Sequence, residues 1–189
     1  FTTAASFAQR PNIVLIVSDD HAYQTISAYG SKLMQTPHID RIAKEGVLFE
    51  KAYVTNSICG PSRAVILTGK YSHKNGFRDN ENSKFDASQN SFIKELTKAG
   101  YQTAWIGKMH LDATPQGFTF WQILPGQGAY YNPDFLMMDG SKKRIEGYVA
   151  NVVEDVAEDW LNKRDTTKPF CLVIGHKNTH RIWLPDTCD

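Results

Sequence analysis

Two unbroken apolar runs, Ile13 to Val17 and Phe170 to Ile174, most constrain what this chain can fold into. A strand exposed on one face alternates apolar with polar residues. A continuous β-branched run therefore predicts a strand buried on both faces, as in a parallel sheet covered by helices. A further strand is expected at Tyr101 to Ile106. Helix signals lie between these runs. Thr36 and Pro37 open a helix that Gly46 closes, and Ser91 to Lys98 forms another, stopped by Gly100. Val149, Val152, Val153, Val156, Ala157 and Trp160 recur at helical spacing within Gly147 to Lys163. Strands alternating with helices imply right-handed crossovers and an α/β fold, a largely parallel sheet flanked by helices. Val47 to Val54 is also strand-like. The stretch from Ala113 to Lys143, rich in Gly, Pro and aromatics, is too irregular for core structure and too aromatic for a linker. It is expected to be a functional loop or insertion.

The charge balance narrows the partners. With 21 Lys and Arg against 20 Asp and Glu, the formal net charge of +1 excludes the basic excess of a non-specific nucleic-acid binder. The longest strongly apolar run is far shorter than the roughly 20 residues that cross a bilayer, so no membrane span is expected. Three cysteines, Cys59, Cys171 and Cys188, cannot all pair within the chain, and so few leave the redox compartment open. Residues 1–9 are expected to be a flexible N-terminus. Small residues at Ser6 and Ala8 fit the end of a secretory signal, and a periplasmic or extracellular location follows from that reading.

The reactive residues share a placement. Asp19 and Asp20 follow the first strand, Lys108 and His110 follow the Tyr101 strand, and His176, Lys177 and His180 follow the Phe170 strand. All three groups fall at carboxyl ends of strands, where open α/β sheets hold their ligands. Two adjacent carboxylates suit Ca²⁺ or Mg²⁺, although an acidic turn or a helix cap uses the same residues. Cys59 stands just before a Pro-initiated helix with Arg63 one turn inside, an anion-binding position, although a buried core cysteine also fits. His176 and His180 have the spacing of a zinc pair on one helical face. Asn178, Thr179 and Pro185 make a continuous helix there doubtful, so zinc is the weaker alternative.

Cys59-Gly-Pro-Ser-Arg63 resembles the Cys-x-Pro-Ser-Arg signature of type I sulfatases of the alkaline phosphatase superfamily, whose cysteine is converted to formylglycine. Arg10 to Asp20 is similar to the family's opening strand and metal pair. Leu67 to Gly76 resembles the segment after the modified cysteine, Gly107-Lys-Met-His-Leu111 the Gly-Lys-x-His-Leu element, and His176 to His180 the late histidine segment. The resemblance implies that Asp19, Asp20 and residue 59 contribute to Ca²⁺ binding and that Arg63 supports a formylglycine diol. It further implies that Lys108 binds sulfate, that His110 removes the second diol proton, and that His180 protonates the departing sugar oxygen. Lys177 is expected either to orient sulfate or sugar or to be a solvated side chain. The implied partners are a formylglycine-generating maturation enzyme and a sulfated carbohydrate.

Gly117 to Asp134 and His176 to Pro185 resemble the equivalent segments of N-acetylglucosamine-6-sulfatases, which implies N-acetylglucosamine 6-sulfate of a mucin or glycosaminoglycan as substrate. A later metal pair and a further sulfate-binding Lys of the family have no counterpart here. Residues 10–189 are thus expected to be the N-terminal part of a sulfatase catalytic domain, incomplete on its C-terminal side and inactive alone. A phosphonate or phosphate monoester hydrolase of the same superfamily and a catalytically silent glycan-binding module stay open as alternatives.

Overall fold

A computed structural model describes residues 10–187. The secretory-signal reading of residues 1–9, and Cys188, lie outside the described residues. In chain order the elements are β1 (Ile13–Val17), α1 (Pro37–Glu45), α2 (Cys59–Thr68), α3 (Ser72–Asn75), α4 (Phe92–Lys98), β2 (Gln102–Lys108), β3 (Phe120–Leu124), β4 (Asp134–Met137), β5 (Lys142–Arg144), α5 (Val149–Lys163) and β6 (Phe170–Gly175). The strands form one sheet in the order β1-β6-β2-β3-β4-β5. The first four are mutually parallel, and β4 and β5 add an antiparallel margin. The largely parallel α/β sheet expected from the apolar runs is present.

Period-two alternation divides the core between the two faces of the sheet. Trp105, Cys171 and Val173 face Ala64 and Leu67 of α2 and Ile93 of α4. Ala104, Ile106, Phe170 and Leu172 face Val149, Val152, Val153 and Ala157 of α5. Both faces of β2 and β6 are thereby dry, and truncating a fully buried side chain such as Ile106 to Ala costs about 2–5 kcal/mol. Pro37 opens α1 and Gly46 closes it as expected, but Thr36 makes no side-chain cap bond, its hydroxyl donating to Asp40 Oδ1 at 2.9 Å instead. α4 is capped by Ser91 Oγ, which accepts from Lys94 N at 3.3 Å.

Three expectations are corrected. β1 pairs only with β6, and Val14 and Ile16 are exposed, so this run is an edge strand open on one face rather than a doubly buried one. Unbroken apolarity reports that a residue can be buried, not which neighbour covers it. Val47 to Val54 contains no strand; Val47, Phe49, Tyr53 and Val54 are exposed, and no ladder satisfies that backbone. The Ala113–Lys143 stretch is not a mere loop or insertion. It contributes β3, β4 and β5, with Trp121, Ile123 and Leu124 buried. The short Phe-Trp-Gln-Ile-Leu run, bounded by Gly117 and Pro125, packs as a sheet strand despite its irregular flanks.

Candidate active site

The carboxyl ends of β1, β2 and β6 meet at one edge of the sheet. His176 N donates to Val17 O at 2.8 Å, and Asp19 N donates to Asn178 O at 2.8 Å. These bonds extend the β1–β6 pairing past the strands and bring Asp19 and Asp20 beside the His180 loop. Lys108 is the last residue of β2. Asp20 and His110 hold φ of 56° and 53°, a left-handed backbone that costs a side-chain-bearing residue free energy and concentrates at functional positions.

Four charged side chains are buried together: Asp19, Arg63, Lys108 and Lys177. Lys108 Nζ donates to Asp19 Oδ2 and to Gln127 Oε1. Arg63 Nη2 lies 3.9 Å from Asp19 Oδ1, and its Nη1 donates to the Lys108 carbonyl at 2.9 Å. Lys177 Nζ lies 4.5 Å from the centre of the Tyr130 ring. Burial, reinforced by the nearby Lys108 charge, pulls the Lys177 ammonium below its ordinary value. Two cations, Lys108 and Arg63, thus meet one buried carboxylate, and the buried Lys177 charge lies near them. Buried charge is costly unless paired, and this excess of positive charge can accommodate a further anion.

Cys59 opens α2 beside this cluster. Its Sγ lies 3.1 Å from His110 Nδ1 and accepts from Asn80 Nδ2 at 3.2 Å. Burial pushes the thiol up, but hydrogen bonds from His110 and Asn80, with the charges of His110 and Lys108, outweigh it and lower it to about 7. Asn80 also accepts from Gly60 N at 3.2 Å, using one of the free N–H groups at the helix start. A side chain at position 60 would strike Asn80, Phe77 and the His110 carbonyl, so the second residue of Cys-Gly-Pro-Ser-Arg must be small. A cavity of about 410 Å³ opens here, lined by Asp19, Asp20, Ser57, Cys59, Ser62 and Arg63 among others.

The structure brings Asp19, Asp20, Cys59, Arg63, Lys108, His110, Lys177 and His180 to this strand-end edge. His180 Nε2 stands 3.9 Å from Asp20 Oδ2, while its buried Nδ1 has no partner among the described residues. Burial and then the Lys108 charge pull the His180 imidazole below its ordinary value. The His176 ring, also lowered by burial, makes no hydrogen bond to the Cys59 cluster. Asn178 and Thr179 form a turn, so His176 and His180 share no helical face, and the zinc alternative loses its geometric basis. Among the described residues no group of three or more His, Cys, Asp or Glu side chains converges as a metal site. The hard oxygens of Asp19 and Asp20, at the mouth of the cavity, fit Ca²⁺ in donor type and supply part of the roughly 6–8 oxygens it takes. Asn80 and Gln127 are the site residues that motif reading missed. Gln127 comes from a turn between two positive-φ glycines, and Asn80 from a polar turn held by the Asp79 carboxylate.

The sulfatase family model matches residues 11–189. The chain belongs to the sulfatase family. Among its relatives, an N-acetylglucosamine-6-O-sulfatase of Bacteroides thetaiotaomicron is 51% identical over 180 residues, covering 94% of this chain and 32% of that protein. An N-acetylgalactosamine-6-sulfatase of Rattus norvegicus is 37% identical over 206 residues, covering 98% of this chain and 37% of that one. A solved structure of a protein in complex with its substrate D-glucosamine-2-N,6-O-disulfate matches with a TM-score of 0.92 at 50% identity, over 94% of this chain and 36% of that chain. This sulfatase chain spans about a third of the length of the curated relatives it matches. Its α/β sheet is the alkaline-phosphatase-like core that the motifs imply.

Proposed function

We propose that the protein carrying this chain is a sulfuric ester hydrolase that removes the 6-sulfate of N-acetylglucosamine in a mucin or glycosaminoglycan. The observation that carries the reading is the buried excess of positive charge, Lys108, Arg63 and Lys177 around Asp19, directly beside Cys59. A sulfate ester oxyanion supplies the missing negative charge. The sugar and the position of the ester rest on the relatives' printed activities and on the substrate in the matched structure.

Position 59, once converted to formylglycine by a maturation enzyme, supplies a hydrated aldehyde with one hydroxyl to attack sulfur and another to lose a proton when sulfate departs. Asp19 and Asp20 would hold Ca²⁺, which would supply neutralisation of anionic oxygens. Lys108 keeps an N–H free for a sulfate oxygen while two others are held by Asp19 and Gln127. The Lys108 charge is worth most in such a water-poor setting. His110, with Nδ1 3.1 Å from the position 59 side chain, is within reach to take its proton. His180, with Nε2 3.9 Å from Asp20 Oδ2 at the same edge of the sheet, is the group placed to give a proton to the leaving alkoxide. Tyr130 orients it by donating its hydroxyl to the His180 carbonyl.

The aromatic side chains divide their work. Tyr148 accepts from Asn178 Nδ2 at 2.6 Å and from Trp183 Nε1 at 3.3 Å, so Tyr130 and Tyr148 chiefly pack and tie the loop that bears His180. Half-exposed Trp183 keeps a face for sugar stacking. The N-terminal signal-like segment supports export, where polymeric host glycans are met.

Turnover of the full-length, matured protein on 6-sulfated N-acetylglucosamine, 6-sulfated galactose, 2- and 4-sulfated sugars and the paired phosphate ester tests the reading. Preference for the first is expected. Preference for another sulfated sugar contradicts the specificity, and preference for the phosphate ester contradicts the sulfatase assignment.

A further inference from the structure

Gln127 is held in one orientation at the centre of the site. It sits in a turn just after β3, where Gly128 N donates to Pro125 O at 3.0 Å. Gly126 and Gly128, on either side of it, take φ of 54° and 70°, conformations that side-chain-bearing residues resist. A Cβ on Gly128 would stand 2.8 Å from Leu124 Cδ1, so the turn packs closely against the end of β3. This Pro-Gly-Gln-Gly segment places the Gln127 amide between Lys108 and Cys59.

The amide cannot be reversed. The Lys108 ammonium has only donors, so the Gln127 atom that meets it must be the oxygen. Its Nε2 then faces Cys59 Sγ at 3.9 Å. The side chain therefore has two separable tasks. Its oxygen holds the buried ammonium in one place, and its N–H group is presented to whatever occupies position 59 and to the anion bound there.

We infer that Gln127 is a positioning residue of this anion site, fixing the Lys108 ammonium against sulfate and offering an N–H to the oxygen-bearing group at position 59. The inference rests on the sulfate-ester reading above. It assigns Gln127 no covalent step. Outer partners of metal-ligating side chains typically change affinity or activity by about 10–100-fold when removed, and a loss of that order is expected here.

The test uses the full-length protein with Gln127→Ala, Gln127→Met and Gln127→Glu, and reads two quantities. The first is the Kd of inorganic sulfate by calorimetry on protein with unmodified Cys59. The second is kcat and KM on 6-sulfated N-acetylglucosamine with the matured protein. Gln127→Met, which keeps the length and loses both polar ends, should weaken sulfate several-fold and lower kcat about 10–100-fold with the thermal midpoint retained. Gln127→Glu keeps an oxygen for Lys108 but replaces the N–H with negative charge, so sulfate binding should fall further still. Gln127→Ala should behave like Gln127→Met. Wild-type sulfate affinity in both Gln127→Met and Gln127→Glu would overturn the inference, as would activity losses that only track a lowered thermal midpoint. A wild-type protein that binds sulfate in a Gln127-dependent way, yet turns over no sulfate ester, would overturn the proposed function and leave the positioning role standing.

Discussion

Gly107 and Gly175 face each other as a register pair across β2 and β6, and neither position has room for a methyl group. A Cβ at Gly175 would run into the carbonyl oxygen of Lys108, and one at Gly107 into the carbonyl of Gly175. The Lys108 carbonyl also accepts from Arg63 Nη1 at 2.9 Å and from Trp105 Nε1 at 3.1 Å. The two glycines thus let the strands close tightly enough for Arg63 to reach under the site and approach Asp19.

Gly175→Ala should therefore damage both the fold and the site. Overpacking typically costs about 1–3 kcal/mol, and here the clash is with backbone rather than a flexible side chain. Urea unfolding of the full-length protein should show a loss at or above that range, together with weakened sulfate binding. Gly140→Ala is the control. Its φ of 82° is strained for alanine, but nothing lies within 4 Å of the added carbon, so about 1 kcal/mol and unchanged sulfate binding are expected.

Asp19 is the one carboxylate among three buried cations, and Asp19→Ala leaves them uncompensated. Removing one partner of a buried pair costs about 3–5 kcal/mol. Chemical unfolding should show a destabilisation of that order, and metal analysis should show reduced Ca²⁺ in the same variant. Retention of wild-type stability would contradict the charge arrangement, and retention of Ca²⁺ would contradict the ligand assignment.

The thiol form of Cys59 has a clear pH signature. Its value of about 7 lies below the ordinary 9.0, so the folded protein holds a thiolate at pH values where the unfolded chain still holds a proton. The associated contribution to stability is present above the unfolded value and is lost as pH falls through the folded one. Alkylation of unmodified, metal-free protein should rise with a midpoint near 7, as followed by mass spectrometry. His110→Ala should move the midpoint upward. Buried Cys171, pushed up to about 11 by desolvation alone, should stay unreacted over this range.

Most of the candidate site residues named from the sequence lie at or shortly beyond the carboxyl end of an apolar strand, whose direction carries them to this edge. Asp19, Lys108 and His180 are of this kind, and Cys59 and Arg63 are tied to a helix start with its own signature. Asn80 and Gln127 carry no such mark. Asn80 lies beside a polar turn in which Asp79 Oδ1 accepts from the backbone of Glu81 and Ser83, which reads as ordinary surface loop. Gln127 depends on two positive-φ glycines whose consequence appears only in three dimensions. β3 was obscured because its Gly, Pro and aromatic neighbours mask a five-residue strand. At Val47 to Val54 apolar content is not accompanied by a pairing partner, so no strand forms there.

The chemical state of residue 59 in active protein tests the central claim most directly. Full-length protein expressed with a formylglycine-generating enzyme, and shown to release sulfate from 6-sulfated N-acetylglucosamine, should yield a peptide spanning Ile58 to Arg63 in which the thiol is replaced by an aldehyde or its hydrate. Cys59→Ala protein should fold and show no turnover. A fully thiol-bearing Cys59 in active protein, or undiminished sulfate release by Cys59→Ala, would contradict the account.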